Sequence, residues 1–398
     1  MSFPAPEAAL AALHVDPEVF SPLDERPLLV VDAAAPAAVR VAEVGRHLPC
    51  VLVAVAEDLR RVPAEVAAAG FDILLTETPA PPRPWVHAPG GLDAAVAALA
   101  AVVRSRPFAS VALVQLLRLS CRGDIRDAVV AESFAYSALQ AGPEFAAWLD
   151  DHRRRRAARA NRQLTPPTVP TPPTVPTPPT VPIPPTVPIP PTVPIPPTVP
   201  PAETGSAERP AVLVERHGSV LTVILNRPGR HNAVNTGLRD GLVAAFRLAA
   251  LDDDLTGIRL GGAGPSFSSG GDLTEFGSLP DPGRAHAVRT SRSIPLNLLA
   301  CGVPATAYVH GLCIGAGAEL PAFCTRVVAA PDATFRLPEI AMGLVPGAGG
   351  TASLPRRIGR HRATHLILSG EPIGAEQALA WGLVDAIEPR HGMPGATD

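Results

Sequence analysis

The chain contains no lysine, so all 34 of its basic residues are arginine. Any grip on a phosphate or carboxylate must come from Arg, His or a backbone N–H. Aromatic residues are scarce at 4% of 398 residues, and the charges nearly balance at a formal net charge of −3. That balance excludes a general attraction to nucleic acid or to an anionic membrane. The five cysteines, Cys50, Cys121, Cys301, Cys313 and Cys324, form no CxxC pair. An odd number without that spacing fits unpaired thiols in a reducing compartment, and no metal site is expected. The first residues carry acids early and lack a basic stretch, so no signal peptide is expected and the expected location is the cytoplasm. Outside the proline-rich segment, the longest run without Asp, Glu, Lys or Arg is Ser293–Ala318. It holds Pro295, Asn297, Pro304 and His310, which favours a buried strand and turn over a membrane helix.

Proline is abundant, at 49 residues, against an ordinary usage of about 5%. Much of the excess lies in residues 165–200, six copies of the hexapeptide Thr/Ile-Pro-Pro-Thr-Val-Pro. Proline removes N–H donors and restricts the preceding residue, so this segment cannot pack as helix or sheet. Polyproline II is expected, reaching roughly 110 Å at about 3.1 Å per residue. A spacer is the plain reading, and a dock for a proline-reading domain is the other use. With 46% hydrophobic residues, disorder throughout is excluded. Three segments are expected: 1–163, a linker at 164–205, and 206–398.

In the first segment, the apolar runs Leu28–Val31, Val51–Val55 and Ile73–Leu75 predict buried strands. Ala37–Gly45 and Pro63–Ala69 predict helices between them. From residue 91 the pattern is helical: Leu92–Val103, Ala109–Leu119, Ile125–Gln140 and Glu144–Ala160. The last run ends in Arg153–Arg156, suited to a solvated helix end where cations favour the dipole. In the last segment, Val220–Leu225, Ile258–Leu260, Ala305–Val309 and Arg326–Ala330 predict strands, and Thr236–Ala250 an amphipathic helix. Both segments thus predict the α/β class.

Three stretches of the last segment carry chemistry. Ser266–Leu273 (SFSSGGDL) follows a strand, and its two glycines let backbone N–H groups approach a ligand. Asp272 suits the cap of a following helix, although such a stretch also serves a plain turn. Gly311–Leu320 (GLCIGAGAEL) opens a helix with small residues, whose first N–H groups lack intrahelical partners and favour negative charge. Glu319 falls on the face of Ala316, in an apolar setting where a carboxylate must be used or paired. Phe335–Thr351 (FRLPEIAMGLVPGAGGT) places Pro338 before Glu339 and carries Gly347, Gly349 and Gly350, which also suit close helix packing.

Together with Leu225–Asn235 (LNRPGRHNAVN), these motifs resemble the crotonase (enoyl-CoA hydratase/isomerase) superfamily over about residues 210–388. The resemblance implies a fold of repeated ββα units in a spiral and an acyl-CoA thioester substrate. It implies no cofactor beyond the coenzyme A of that substrate. The matching oxyanion-hole donors are the N–H groups of Gly271 and Ala316, where one such donor contributes about 2.7–4 kcal/mol. Glu319 and Glu339 match the paired acids of hydratases: Glu319 as base on water, Glu339 as proton donor to the α-carbon. Arg230, His231 and Ala233 match the loop that touches CoA, with Arg230 as the phosphate contact. Ser269, Gly270, Asp272, Leu273, Gly315, Pro338 and Gly347 match positions lining the same site. An enoyl-CoA isomerase is the runner-up activity, and a pseudo-enzyme assembly subunit the non-enzyme alternative. Members of the superfamily are commonly trimers, so a trimer-based homo-oligomer is expected.

The chain ends at Asp398, sooner after the motifs than is typical of that superfamily. Residues 91–160, notably Glu132–Leu149 followed by HRRRR, resemble the family's terminal helices. Residues 28–90 then look like a worn-down crotonase core without hole motifs or paired glutamates. The expectation is that the helices at 91–160 complete the site of the last segment, within the chain or across subunits.

Overall fold

Val51–Ala56 is buried at every position, as a parallel strand covered on both faces must be. A computed structural model describes residues 6–24, 26–120, 123–164 and 210–390. From residue 165 onward the expected linker lies outside the described residues, as does Cys121. The first segment contains α1 (Pro6–Val15), β1 (Leu28–Asp32), α2 (Ala38–Gly45), β2 (Val51–Ala56), β3 (Ile73–Thr76) and β4 (Val86–His87). There follow α3 (Leu92–Ser105), α4 (Pro107–Ser120), α5 (Ile125–Gln140) and α6 (Pro143–Leu164). Strands β1 to β4 form one parallel sheet in sequential order. Asp124 starts α5 by accepting the amide of Arg126 at 2.6 Å. Arg153–Arg156 are exposed.

The last segment contains β5 (Val212–His217), β6 (Val220–Leu225), α7 (Thr236–Ala249), β7 (Gly257–Gly262), α8 (Pro282–Ser291), α9 (Ile294–Ala300) and β8 (Ala305–Val309). It continues with β9 (Leu312–Ile314), α10 (Ala316–Glu319), β10 (Arg326–Ala329), β11 (Thr334–Arg336), α11 (Gly350–Ile358) and α12 (Arg360–Ser369). It closes with β12 (Ile373–Gly374), α13 (Ala375–Trp381) and β13 (Ala386–Ile387). A six-stranded sheet runs β13-β10-β8-β7-β6-β5, antiparallel only at the β5 edge. A three-stranded sheet, β12-β11-β9, lies beside the site loops. The α/β class expected for both segments is what is found.

Two local expectations change. Pro63–Ala69 forms a short 3-10 turn at Ala64–Ala68 rather than a helix, and only Val66 of it is buried. The helix expected after Gly311 is one turn, Ala316–Glu319, because Pro321 follows at once and cannot donate.

The described residues of 6–151 and 210–390 form one compact unit. One apolar core joins Val53, Ile73, Leu113 and Leu117 of the first segment to Leu260, Leu354, Leu366 and Ile367 of the last. Each such buried side chain contributes about 1.5–3 kcal/mol. A second core, on the other face of the first sheet, is made by α1 and α2 with Leu29, Leu52 and Leu74. Asp72, fully buried, ties the two segments electrostatically. It accepts from Arg118 of α4 at 2.6 and 2.9 Å and from Arg360 of α12 at 3.0 Å. Among the described residues, no single helix is long and apolar enough to cross a membrane.

Candidate active site

The loop after β7 is held open by its neighbours. Ser268 pairs with Cys313, its carbonyl accepting the amide of Ile314 at 2.9 Å. Its hydroxyl donates to the Asn232 carbonyl at 2.8 Å and accepts from the Gly270 amide at 3.2 Å. The Ser269 amide donates to the His231 carbonyl at 2.8 Å. These bonds leave the Gly271 N–H without an acceptor among the described residues. Asp272 does not cap a helix, which corrects the expectation above. It closes a turn by accepting from the Thr274 amide and hydroxyl at 3.1 and 2.7 Å, and it pairs with Arg227 at 3.2 Å. Partial burial works against its charge, but Thr274 and Arg227 prevail and hold the carboxyl below the usual range.

Across from this loop, β9 turns into α10 at Gly315, whose φ of +50° strains any residue with a Cβ. A Cβ there would also lie 2.5 Å from Oε1 of Glu339. The turn presents the Ala316 N–H, the first of α10, which likewise has no acceptor among the described residues. Two unpaired backbone donors thus line one cavity.

That cavity has a volume of about 650 Å³. Eleven of the expected site residues line it: Ser269 to Leu273, Gly315, Ala316, Glu319, Pro338, Glu339 and Gly347. Arg230, His231 and Ala233 are not in its wall. Arg230 and His231 are exposed on the adjoining turn, and that loop reaches the cavity through Val234.

Glu319 is 2% exposed, and its Oε2 accepts the amides of Ala348 and Gly350 at 2.7 and 2.8 Å. Burial outweighs those two donors and lifts its pKa to about 7. Oε2 of Glu339 is closed off from solvent and has no hydrogen-bond partner among the described residues. Burial, reinforced by the nearby Glu319, pushes this carboxyl well above the usual range. Two acids facing one cavity with unequal hold on a proton are suited to divided acid and base work.

A third carboxyl comes from the first segment. Glu132 of α5 is 1% exposed. It accepts the Gly349 amide at 2.6 Å, the Thr351 amide at 2.8 Å and the Thr351 hydroxyl at 2.7 Å. The consecutive amides of residues 348 to 351 therefore alternate between Glu319 and Glu132. Burial and the neighbouring Glu319 lift Glu132 to about 8, against the pull of its three donors. Tyr136, one turn further along α5, enters the cavity wall. A Cβ on Gly347 would sit 2.5 Å from its ring, so only glycine admits this approach. Gln140 and Arg289 complete the same wall. Glu132, Tyr136 and Gln140 fall in the stretch Glu132–Leu149 expected to help complete the site, but none of the four was given an individual role. The available signal was a polar stripe at 132, 133, 136, 137 and 140 set among the apolar positions of α5.

Residues 215–395 match the family model described as Enoyl-CoA hydratase/isomerase. The chain is 38% identical over 179 residues to the 2,3-dehydroadipyl-CoA hydratase of Escherichia coli (strain K12), covering 45% of this chain and 69% of that protein. It is 35% identical over 181 residues to the mevalonyl-coenzyme A hydratase of Beauveria bassiana, covering 44% of this chain and 65% of that protein. Among solved structures, the enoyl-CoA hydratase from Thermoplasma volcanium is 32% identical, covering 46% of this chain and 73% of that one, with a TM-score of 0.43.

Proposed function

From the chain's membership of the enoyl-CoA hydratase/isomerase family, we propose that it catalyses the reversible syn addition of water across the 2,3 double bond of a 2-enoyl-CoA thioester. The observation that carries this choice is the pair of glutamates, Glu319 and Glu339, lining one cavity beside two unpaired amides. The thioester carbonyl oxygen sits between the Gly271 and Ala316 N–H groups, where negative charge develops as the enolate forms. Glu319, titrating near neutrality, takes the proton from water as its oxygen bonds to C3. Glu339, holding its proton more firmly, delivers it to C2. In dehydration the roles reverse. Beyond the coenzyme A of the substrate, no cofactor is called for.

Both curated relatives bear hydratase names with different acyl groups, which supports hydration and leaves the acyl group to the lining of this cavity. Glu319→Gln and Glu339→Gln should each lower kcat for hydration by about 10²–10⁴-fold. The check is the loss of conjugated enoyl-thioester absorbance, with product analysis on 2-enoyl- and 3-enoyl-CoA in parallel. Unchanged rates in both variants would reject the assignment. Conversion of 3-enoyl-CoA without hydration would make the enzyme an isomerase.

A further inference from the structure

Arg289 of α8 lines the same cavity and is half-buried. Buried Arg362, held by the neutral carbonyls of Trp85 and Pro81, lies outside this cavity. Four other enclosed arginines each have a carboxylate partner. Arg118 and Arg360 share Asp72, Arg357 meets Asp385 at 3.1 Å, and Arg227 meets Asp272 at 3.2 Å. Arg289 makes no ion pair among the described residues. One face of α5 supplies neutral partners instead. Nε donates to the Ser133 hydroxyl at 3.3 Å, one terminal nitrogen to Oε1 of Gln140 at 3.0 Å, and the other to the Ser137 hydroxyl. The guanidinium carbon lies 4.4 Å from the centre of the Tyr136 ring.

The spacing of 133, 136, 137 and 140 is the i, i+3, i+4, i+7 face of one helix, and all four meet one guanidinium, the Ser133 hydroxyl also meeting Nδ1 of His286 at 2.9 Å. The partners are fixed in turn. The Ser137 hydroxyl donates to the Ser133 carbonyl at 2.8 Å, which turns its lone pairs to the arginine. The Gln140 amide donates to the Leu279 carbonyl at 3.0 Å. The nearby Glu132 has both oxygens engaged by Gly349 and Thr351 and makes no hydrogen bond to Arg289. A guanidinium has five N–H donors, and three nitrogens with one partner each leave donors for a planar, bidentate anion. A partly buried cation whose hydrogen-bond partners are all neutral, with the neighbouring Glu132 engaged elsewhere, has room for a direct counter-charge, and the cavity is the open side.

We propose that Arg289 recognises a carboxylate on the acyl chain, so that the preferred substrates are 2-enoyl-CoA thioesters whose acyl part itself carries an acid group. This rests on the acyl-CoA reading above and adds the substrate class to it. Arginine suits the task because its planar fork matches a carboxylate and its charge persists when enclosed.

The test uses the full chain and three 2-enoyl-CoA thioesters of equal length, ending in a methyl, a primary amide or a carboxylate. Wild-type kcat/KM should favour the carboxylate by about tenfold or more, an effect of charge-assisted pairing that the neutral amide does not reproduce. In Arg289→Leu the ratio should fall to about one, and Arg289→Lys should keep part of it. Equal wild-type kcat/KM for the three would overturn the proposal without needing any variant. An equal rise of KM for all three in Arg289→Leu would also overturn it, and would assign the guanidinium to a phosphate of CoA. Calorimetry with the same thioesters keeps the two readings apart. Arg289-dependent tight binding of the carboxylate without turnover would reject hydration and retain the subsite. Turnover without discrimination would do the reverse.

Discussion

Glu319 and Glu339 share one cavity but do not hold a proton equally. Glu319 accepts two backbone amides, which restrain the rise that burial imposes and leave it near 7. Burial and the neighbouring Glu319 push Glu339 up, one of its oxygens has no partner among the described residues, and its own backbone N–H and Arg336 offset this only in part. The proposed base must be ionised and the proposed acid protonated. Hydration should therefore rise with pH through about 7 as Glu319 loses its proton, then fall at higher pH as Glu339 loses its own. The limbs belong to the interacting pair and report its macroscopic titration. The profile of kcat for crotonyl-CoA is the check. A flat rate from about pH 6 to 8 would show that no group titrating near neutrality takes part.

The element that positions this pair is the start of α11, clamped from two sides by Glu319 and by Glu132 of α5. Glu132→Ala removes the acceptor for three donors at once. With about 1–3 kcal/mol for each buried donor left unpaired, a loss of several kcal/mol is expected in chemical unfolding. Glu132→Gln keeps the shape but turns an NH₂ toward a donor, so it should cost less. The pH dependence has a definite sign. Well below the ordinary carboxyl range, folded and unfolded chains both hold the Glu132 proton. As pH rises above that range the unfolded chain ionises while the folded site stays protonated, so stability falls until the folded group titrates near 8. The thermal midpoint should decline across that window, and less steeply in Glu132→Gln. An identical slope in the two proteins would refute the linkage. Elements whose periodicity is local were legible beforehand: Val220–Leu225, Ile125–Gln140 and Ala305–Val309 are found where the pattern sets them. Pro63–Ala69 was not, because alanine content suggests a helix that tertiary packing does not bury. Glu132 was not legible as a site residue, because its partners are 217 and 219 positions away in the chain. Asp272 misled because Arg227, which takes its carboxylate, is 45 positions earlier.

At the scale of the molecule, the first and last segments are not two bodies that happen to be joined. Val53, Ile73 and Leu117 are buried in the same core as Leu354, Leu366 and Ile367. Asp72 also holds arginines from both α4 and α12. A fragment of residues 206–398 would expose the α11 and α12 faces that pack on α4 and α5. It would strand Arg360 without its carboxylate and remove Tyr136 and Gln140 from the cavity wall. Losing one partner of a buried ion pair alone costs about 3–5 kcal/mol, and each newly exposed Leu or Ile adds about 1.5–3 kcal/mol. Those losses together rival the whole stability of an ordinary domain, about 5–15 kcal/mol. The fragment on its own is therefore expected to be insoluble or unfolded and without hydratase activity. Co-expression with residues 1–163 as a separate chain should restore a soluble, active complex, since the shared core and not the covalent link supplies the stability. Copurification and activity of the pair are the readout. A 206–398 fragment that folds and turns over enoyl-CoA alone would show that the first segment is dispensable to the site.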